Sequence, residues 1–229
     1  MDEACKDVAE VFKLEFAELV PYCGRMQKLH YRRGEILYDQ GNLFDGIYIV
    51  VRGIAKIVLS ATERQLEAVT GIATRSDVLG SDALHSASFV TRATAVTALT
   101  VVKIPTKVMG ELLQSNEAFR EVIRVKLGRA IAEGLELIEL LAKARSEARL
   151  AFFLLKLASR VSTGTSAATT FDVGLSRAEI GCYLGINVET VSRRMTTFAE
   201  AGYVRVNGKR VRIEDPTALE LVREGKTVH

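Results

Sequence analysis

The stretch Leu175–Met195, LSRAEIGCYLGINVETVSRRM, decides the fold of the C-terminal part of the chain. Ser176 and Glu179 form the pattern S-x-x-E, which is typical of a capping box in the first turn of a helix. Gly185 suits the left-handed backbone conformation with which many helices end. The predicted packing residues of this first helix are Ala178, Ile180, Cys182, Tyr183 and Leu184.

A second helix is predicted to begin shortly after the first. Asn187 is a good N-cap, and Val191, Met195 and Phe198 follow at helical spacing as an inward stripe. Two helices joined by a short turn that contains glycine make a helix-turn-helix. The side of the second helix that faces away from the stripe carries Val188, Glu189, Ser192 and Arg193.

A β-hairpin is predicted after these helices, in the segment GYVRVNGKRVRIED (202–215). Apolar and polar residues alternate on both sides of the pair Asn207-Gly208, which strongly favours a hairpin turn. A helix-turn-helix followed by such a hairpin is a winged helix-turn-helix.

Basic residues are concentrated in this region. Between Leu175 and Glu214 the chain has seven basic and four acidic residues, an excess equal to the formal charge of +3 for all 229 residues. Basic side chains on a helix-turn-helix and its wing bind the phosphates of double-stranded DNA. The predicted DNA contacts are Val188, Glu189, Ser192, Arg193, Arg177, Arg194, Lys209 and Arg210.

The rest of the chain changes character before this region. Short β segments punctuated by glycine occupy residues 30–105, which predicts a small barrel or sandwich. Ser115–Val161 is helical in pattern and free of proline, with a break expected near Arg145–Glu147. The polar segment Ser162–Gly174 is expected to connect this helical region to the last domain.

The long helix carries apolar residues and a glycine at alternating spacings of four and three, the seam spacing of a coiled coil. A helix packed on its own domain is the alternative. We favour a homodimer because the seam runs past what a small barrel could cover. The predicted dimer interface is Leu127, Ile131, Gly134, Ile138 and Leu141.

These segments together predict an α+β fold class in three parts. Residues 1–114 form a sensor β-barrel with an N-terminal helical segment, 115–145 a dimerisation helix, and 146–229 the winged helix-turn-helix.

This order of segments resembles the CRP/FNR family of bacterial transcription regulators over nearly the whole chain. RRGEILYDQGNLFDGIYIVVRGIAKI (32–57) resembles the family's barrel motif, with Gly34, Gly41 and Gly53 at its turns. The helix-turn-helix resembles the FNR branch, in which E-T-x-S-R opens the recognition helix. The resemblance implies a cyclic-nucleotide-binding-like barrel (a double-stranded β-helix or jelly roll) and a homodimer that binds DNA and works with RNA polymerase.

The resemblance also implies how the bases are read. Arg193 would donate two hydrogen bonds to guanine, Glu189 would accept from a cytosine amino group and orient Arg193, and Ser192 would contact a thymine. Val188 stands where the CRP branch carries an arginine. FNR-like half-sites TTGAT, separated by about four base pairs in an inverted repeat, are therefore expected. The wing and the capping-box helix would bind phosphates.

The effector of the barrel is left open by the sequence. Cyclic-nucleotide-binding members hold the ribose and phosphate with a Gly-Glu and an Arg-Ser pair, but Ser81 stands in the glutamate position here. Phe89 and Val90 stand at the second pair, and Arg92 is displaced. These departures disfavour cAMP, and leave Ser81 and Arg92 as the candidate effector contacts.

The numbers of cysteines and histidines limit which metal-containing cofactors the sensor domain could hold. An iron–sulfur cluster needs about four thiolates, but the sensor domain has only Cys5 and Cys23, and Val102 stands at the family's barrel cysteine. A four-cysteine cluster within one chain is therefore excluded. A redox pair of Cys5 and Cys23 stays open. A haem-based sensor of nitric oxide or carbon monoxide also stays open, since some members of the family sense these gases with haem. Its candidate ligands are Cys23, Met26, His30 and His85.

An enzyme is the competing class of protein. A cupin-like metal site needs two or three histidines with a carboxylate, but the chain has only His30, His85 and His229. No G-x-S-x-G or Walker sequence occurs. The acidic N-terminus is unlike a signal peptide, and no stretch is apolar enough to span a membrane. We therefore expect a cytoplasmic regulator without catalysis; control by abundance, with no effector, stays open.

Overall fold

The structure is a computed structural model that describes residues 2–61, 66–161 and 170–226. The chain divides into two compact units, Met1–Ala132 and Glu133–His229. Of the predicted connector, residues 162–169 lie outside the described residues, as does His229.

Two antiparallel sheets form the centre of the first unit. Their strands are β1 (Gln27–Tyr31), β2 (Ile36–Tyr38), β3 (Gly46–Arg52), β4 (Ala55–Ala61), β5 (Leu66–Ala73), β6 (Val78–Leu79), β7 (Arg92–Ala95) and β8 (Leu99–Pro105). The strand orders are β1-β8-β3-β6 and β2-β7-β4-β5. Gly34, Gly41 and Gly53 all have positive φ, as the barrel motif implies.

Helices cover one face of the first sheet. They are α1 (Glu3–Phe12), α2 (Phe16–Leu19), α3 (Thr106–Ser115) and the first turns of α4 (Glu117–Lys143). Strand β3 is apolar on both faces because it separates two cores. Tyr48 and Val50 point into the core between the sheets, whereas Ile47 and Ile49 face the helices.

The second unit contains the last turns of α4 and the C-terminal elements. These are α5 (Ser146–Val161), β9 (Thr170–Asp172), α6 (Arg177–Leu184), α7 (Val188–Glu200), β10 (Val204–Asn207), β11 (Arg210–Ile213) and α8 (Pro216–Arg223). The break between α4 and α5 falls at residues 144–145, close to its predicted place. No helix in the described ranges is long and apolar enough to cross a membrane.

The winged domain differs from the prediction in three details. Thr170–Asp172 was expected to be connector, but it is a strand because Phe171 is buried and its backbone pairs with β11. The hairpin loop is Gly208-Lys209 rather than Asn207-Gly208, since Asn207 pairs with Arg210. Helix α8 was not predicted, although Asp215 caps it and Pro216 begins it.

The predicted α+β fold class is confirmed. A β-rich N-terminal domain, a long helix and a C-terminal winged helix-turn-helix follow one another along the chain.

Candidate nucleic-acid interface

Helix α6 begins and ends as its sequence predicts. Ser176 Oγ accepts a hydrogen bond from the Glu179 N–H at 3.2 Å, and the Glu179 carboxylate accepts one from the Ser176 N–H at 2.7 Å. Gly185 ends the helix with φ at +60°. This reciprocal cap fixes the first residue of α6.

Gly181 is a structural residue that the sequence analysis missed. A Cβ atom there would lie 2.5 Å from the carbonyl oxygen of Ile186, so only glycine lets the turn after α6 approach the helix this closely. The buried face of α6 is Ile180, Gly181, Tyr183 and Leu184. Ala178 and Cys182, one turn apart, face outward and are exposed, so their prediction as packing residues was wrong.

Helix α7 presents the predicted recognition face to solvent. Asn187 Oδ1 caps it by accepting from the Thr190 N–H at 2.8 Å. The stripe of Val191, Met195 and Phe198 is buried. The residues exposed on α7 include Val188, Glu189, Ser192 and Arg193.

The charged residues of this face have no ion-pair partner among the described residues. In the part of the chain that the structure describes, neither Glu189 nor Arg193 forms an ion pair, and no hydrogen bond joins them. The expected orientation of Arg193 by Glu189 is therefore absent from the structure. Both side chains keep their full hydrogen-bonding capacity, which a groove of DNA could use.

Arg194 does not share the recognition face. Its guanidinium forms an ion pair with Glu147 at 2.6 Å and donates to Ser146 Oγ at 3.2 Å, at the start of α5. Burial alone would raise the pKa of Glu147, but its backbone and Ser146 hydrogen bonds and the charge of Arg194 hold that pKa below its ordinary value. The structure thus places Arg194 in a contact within the protein, which does not support its predicted role in binding DNA.

The other predicted phosphate contacts lie on α6 and the wing. Arg177 is half-buried, and burial lowers the pKa of its guanidinium. Lys209 is exposed in the wing loop and reaches the Gly174 carbonyl at 3.4 Å. Arg210 is exposed and, among the described residues, has no carboxylate partner. Two further wing arginines, Arg205 and Arg212, share Glu214.

The apolar seam of α4 is rotated from its predicted position. Ile131 and Ile138 are exposed as predicted, at 67% and 65%, and Leu135 joins them at 62%. Leu127 instead packs against the core of the first unit, and Leu141 lies beside Gly185. The exposed residues at alternating spacings of three and four are Gly128, Ile131, Leu135, Ile138 and Ala142.

The two candidate effector contacts have different surroundings. Ser81 begins a 3₁₀ turn, Ser81–Ala83, and lines a small apolar cavity beside α3 and α4. Arg92 is engaged by two carboxylates, Asp39 and Glu67, each at 2.7 Å. The predicted use of Arg92 as an effector contact is therefore not supported.

Aromatic rings fill the core between the two sheets. Phe89 is buried and stacks on Tyr38 with ring centroids 4.0 Å apart, and Tyr48 packs against both. Val90 is partly exposed. Of the two residues that stand in place of the Arg-Ser pair, Phe89 thus packs in the core and Val90 lies at the surface.

The candidate haem ligands lie in different environments. Met26 is buried in the core under the helices, His30 is exposed on β1 with Nδ1 3.1 Å from Thr100 Oγ1, and His85 is exposed. Cys23 is partly buried near Cys5, which is fully buried. Val102 is buried in the same helix-side core.

Comparisons with known proteins agree with this architecture. The family model described as Crp-like helix-turn-helix domain matches residues 148–222, and that of the cyclic nucleotide-binding domain matches residues 28–116. The transcriptional activator protein Anr of Pseudomonas protegens is 35% identical over 82% of this chain and 77% of its own length. Electron transport regulator A of Shewanella oneidensis is 32% identical over 83% of this chain and 76% of its own length.

A solved structure shows the same fold. FixK2 from Bradyrhizobium japonicum superposes with a TM-score of 0.75 over 89% of this chain and 98% of that one, at 19% identity. The domain order, the helix-turn-helix and these relatives lead to one conclusion: the chain belongs to the CRP/FNR family of transcription regulators.

Proposed function

We propose that the protein is a cytoplasmic homodimer, without catalytic activity, that binds an inverted repeat of FNR-like TTGAT half-sites and acts on RNA polymerase. An unidentified effector of the barrel controls it. The observation that carries the proposal is the face of α7 on which Glu189, Ser192 and Arg193 are exposed together while the opposite stripe is buried.

Base readout follows from the chemistry of these side chains. The guanidinium of Arg193 presents a planar pair of donors that matches the O6 and N7 atoms of guanine. Glu189 offers an acceptor for the amino group of cytosine, and Ser192 is small enough to lie against a thymine. Because these residues occupy the first two turns of α7, they reach the groove first if α7 enters it by its N-terminus.

Phosphate contacts fix the position of the protein but read no sequence. Arg210 is suited to this role because it is exposed and free of carboxylates among the described residues. Lys209 in the wing loop and Arg177 at the start of α6 add positive charge on either side of the recognition helix.

A second copy of the chain is the proposed occupant of the α4 seam. Three large apolar side chains, Ile131, Leu135 and Ile138, are each more than three-fifths exposed. Their spacing is that of a two-stranded coiled coil, and Gly128 and Gly134 have open space around them. A two-fold dimer would cover this seam with the same residues of the partner and bring two recognition helices to one site.

Selection from random duplexes tests the proposal. The wild-type protein should enrich an inverted repeat that contains TTGAT, whereas Arg193→Ala should enrich a repeat in which the guanine is selected much more weakly. Arg210→Ala is the matched control, because it removes an arginine that is proposed to contact only phosphate. It should enrich the wild-type motif with weaker binding and, since a dimer loses two such contacts, reduce the salt slope by about two units. An enriched wild-type motif that lacks the guanine would refute the assignment.

A further inference from the structure

Three side chains of metal-binding type meet near the N-terminus of the first unit. Asp2 and Cys5 lie at the start of α1, and Cys23 follows the 3₁₀ turn Val20–Tyr22. One carboxylate oxygen and the two Sγ atoms all lie within 4.8 Å of one another. The proposed DNA-binding function uses none of these residues.

Local structure holds the three side chains together. Both thiols point at one carbonyl oxygen, that of Leu19, at 3.6 Å from Cys5 Sγ and 3.5 Å from Cys23 Sγ. Asp2 caps α1 by accepting from the Ala4 N–H at 2.9 Å, and it also accepts from the N–H of Gly24, next to Cys23. Two segments that are distant in sequence are thus joined at the cluster.

The electrostatics of the cluster favour a cation. Cys5 has no exposed surface. Two thiolates there would lie beside each other and beside the Asp2 carboxylate, so without a cation their negative charges would repel one another. A cation between the sulfurs converts this repulsion into attraction and allows both thiols to lose their protons.

We propose that Asp2, Cys5 and Cys23 bind one Zn²⁺ ion, with water as the fourth ligand. Zn²⁺ takes thiolate and carboxylate ligands in tetrahedral geometry. Zn–S bonds of about 2.3 Å and Zn–O bonds of about 2.0–2.2 Å place neighbouring ligand atoms roughly 3.5–3.8 Å apart. The three ligand atoms already lie within 4.8 Å of one another, so they need to approach by at most about 1.3 Å. Binding releases the two thiol protons, and partly exposed Cys23 gives the ion a way in.

The site lies on a helix that packs against the start of α4. The ring of Phe12, at the end of α1, is 6.2 Å from that of Phe119 in α4. A bound ion would tie the first turn of α1 to the segment after the 3₁₀ turn. The helix would then be held at both ends, at the metal and at Phe119.

Cobalt substitution tests the site in the full-length, reduced and chelator-treated protein. One equivalent of Co²⁺ should produce a thiolate-to-cobalt charge-transfer band and the visible bands of a tetrahedral ion, and Zn²⁺ should abolish both. Cys23→Ser should weaken Zn²⁺ binding at least about tenfold, measured by competition with a chromophoric chelator. Asp2→Asn, which keeps a good N-cap but removes the charge, should also weaken it.

Cys182→Ser is the matched control, because Cys182 is an exposed thiol on α6 outside the cluster. It should bind Zn²⁺ as tightly as the wild type does and show the same charge-transfer band with Co²⁺. Because Cys5 is buried, a Cys5→Ser variant that fails to fold would not decide the question; Cys23→Ser does. A wild-type protein without the charge-transfer band, equal Zn²⁺ affinity in Cys23→Ser, or a Cys5–Cys23 disulfide that persists in reductant would each overturn the proposal.

Discussion

Arg92 could bind a phosphate through its positive charge, but its guanidinium already forms ion pairs with two carboxylates, Asp39 and Glu67. The hydrogen bond between Arg92 and Asp39 lowers the pKa of the carboxyl and raises that of the guanidinium. A cyclic phosphate at this arginine would have to displace Asp39 and Glu67 and would be repelled by both. The buried ring of Phe89 lies nearby in the chain and belongs to the core between the sheets.

We therefore predict that cAMP does not stabilise the protein. A ligand that binds only the folded state raises its stability by mass action, by about 2.7 kcal/mol at a concentration 100 times its Kd. Differential scanning fluorimetry with millimolar cAMP should show no change in melting temperature. A rise in the melting temperature of the wild type with micromolar cAMP would contradict the prediction, and the loss of that rise in Arg92→Ala would show that Arg92 is a phosphate ligand.

Arg149 joins two helix ends in the second unit. Its guanidinium donates to the carbonyls of Leu141 and Ala144 at the end of α4, both at 2.9 Å. It also donates to Leu184 and Gly185 at the end of α6, at 2.9 and 3.3 Å. One cation thus satisfies carbonyls that two helices would leave without partners, at ends where positive charge is favourable.

Replacing Arg149 should destabilise the second unit. Arg149→Ala should lower the free energy of unfolding by roughly 1.5–3 kcal/mol, the range for hydrogen bonds that involve a charged group. Arg149→Lys should lose less stability than Arg149→Ala, because an ammonium keeps the positive charge. It should still be less stable than the wild type, because an ammonium cannot reach four carbonyls at once. Urea unfolding followed by circular dichroism measures both. Arg124→Ala, which removes an exposed arginine of α4, should leave the urea midpoint nearly unchanged. If it lowers the free energy of unfolding as much as Arg149→Ala does, the helix-end hydrogen bonds of Arg149 contribute no stability of their own.

The helix-turn-helix could be predicted because its signals are local. The cap by Ser176 and Glu179, the end at Gly185 and the stripe on α7 depend on residues a few positions apart. By contrast, β9 forms because its backbone pairs with β11, which is distant in sequence. No residue pattern within Thr170–Asp172 predicts this pairing. Spacing alone cannot tell which apolar residues of α4 are covered by their own unit, so it includes Leu127 and Leu141 in the predicted interface, although Leu127 packs against the core of the first unit and Leu141 lies beside Gly185 in the second.

The candidate site divides in the same way. The exposure of Glu189, Ser192 and Arg193 follows from helical periodicity on α7, which a sequence shows directly. The pairing of Arg194 with Glu147 depends on how α7 packs against α5. The sequence does not show this packing, and Arg194 is therefore predicted to contact DNA along with the other basic residues. The cluster of Asp2, Cys5 and Cys23 likewise needs the fold, because the two cysteines are far apart in the chain.

At the scale of the whole molecule, the protein is expected to be a dimer through the rotated seam. Ile131→Glu combined with Ile138→Glu places like charges where two helices would meet, so the variant should be a monomer with much weaker DNA binding. Sedimentation equilibrium measures the change. Ala130→Glu is the control, since Ala130 is exposed on α4 but lies outside the seam. A monomeric wild type, or a dimer that both seam substitutions leave intact, would exclude this interface.

The most direct test of the central claim, that Arg193 reads guanine from helix α7, is a binding comparison on two defined duplexes. One contains the TTGAT inverted repeat, and the other has the G·C pair of each half-site replaced by A·T. The wild type should prefer the first duplex by roughly 1–3 kcal/mol per half-site, and Arg193→Ala should lose most of this preference, keeping only the part that Glu189 contributes through the cytosine of the same pair. Equal binding by the wild type, or an unchanged preference in Arg193→Ala, would contradict the account.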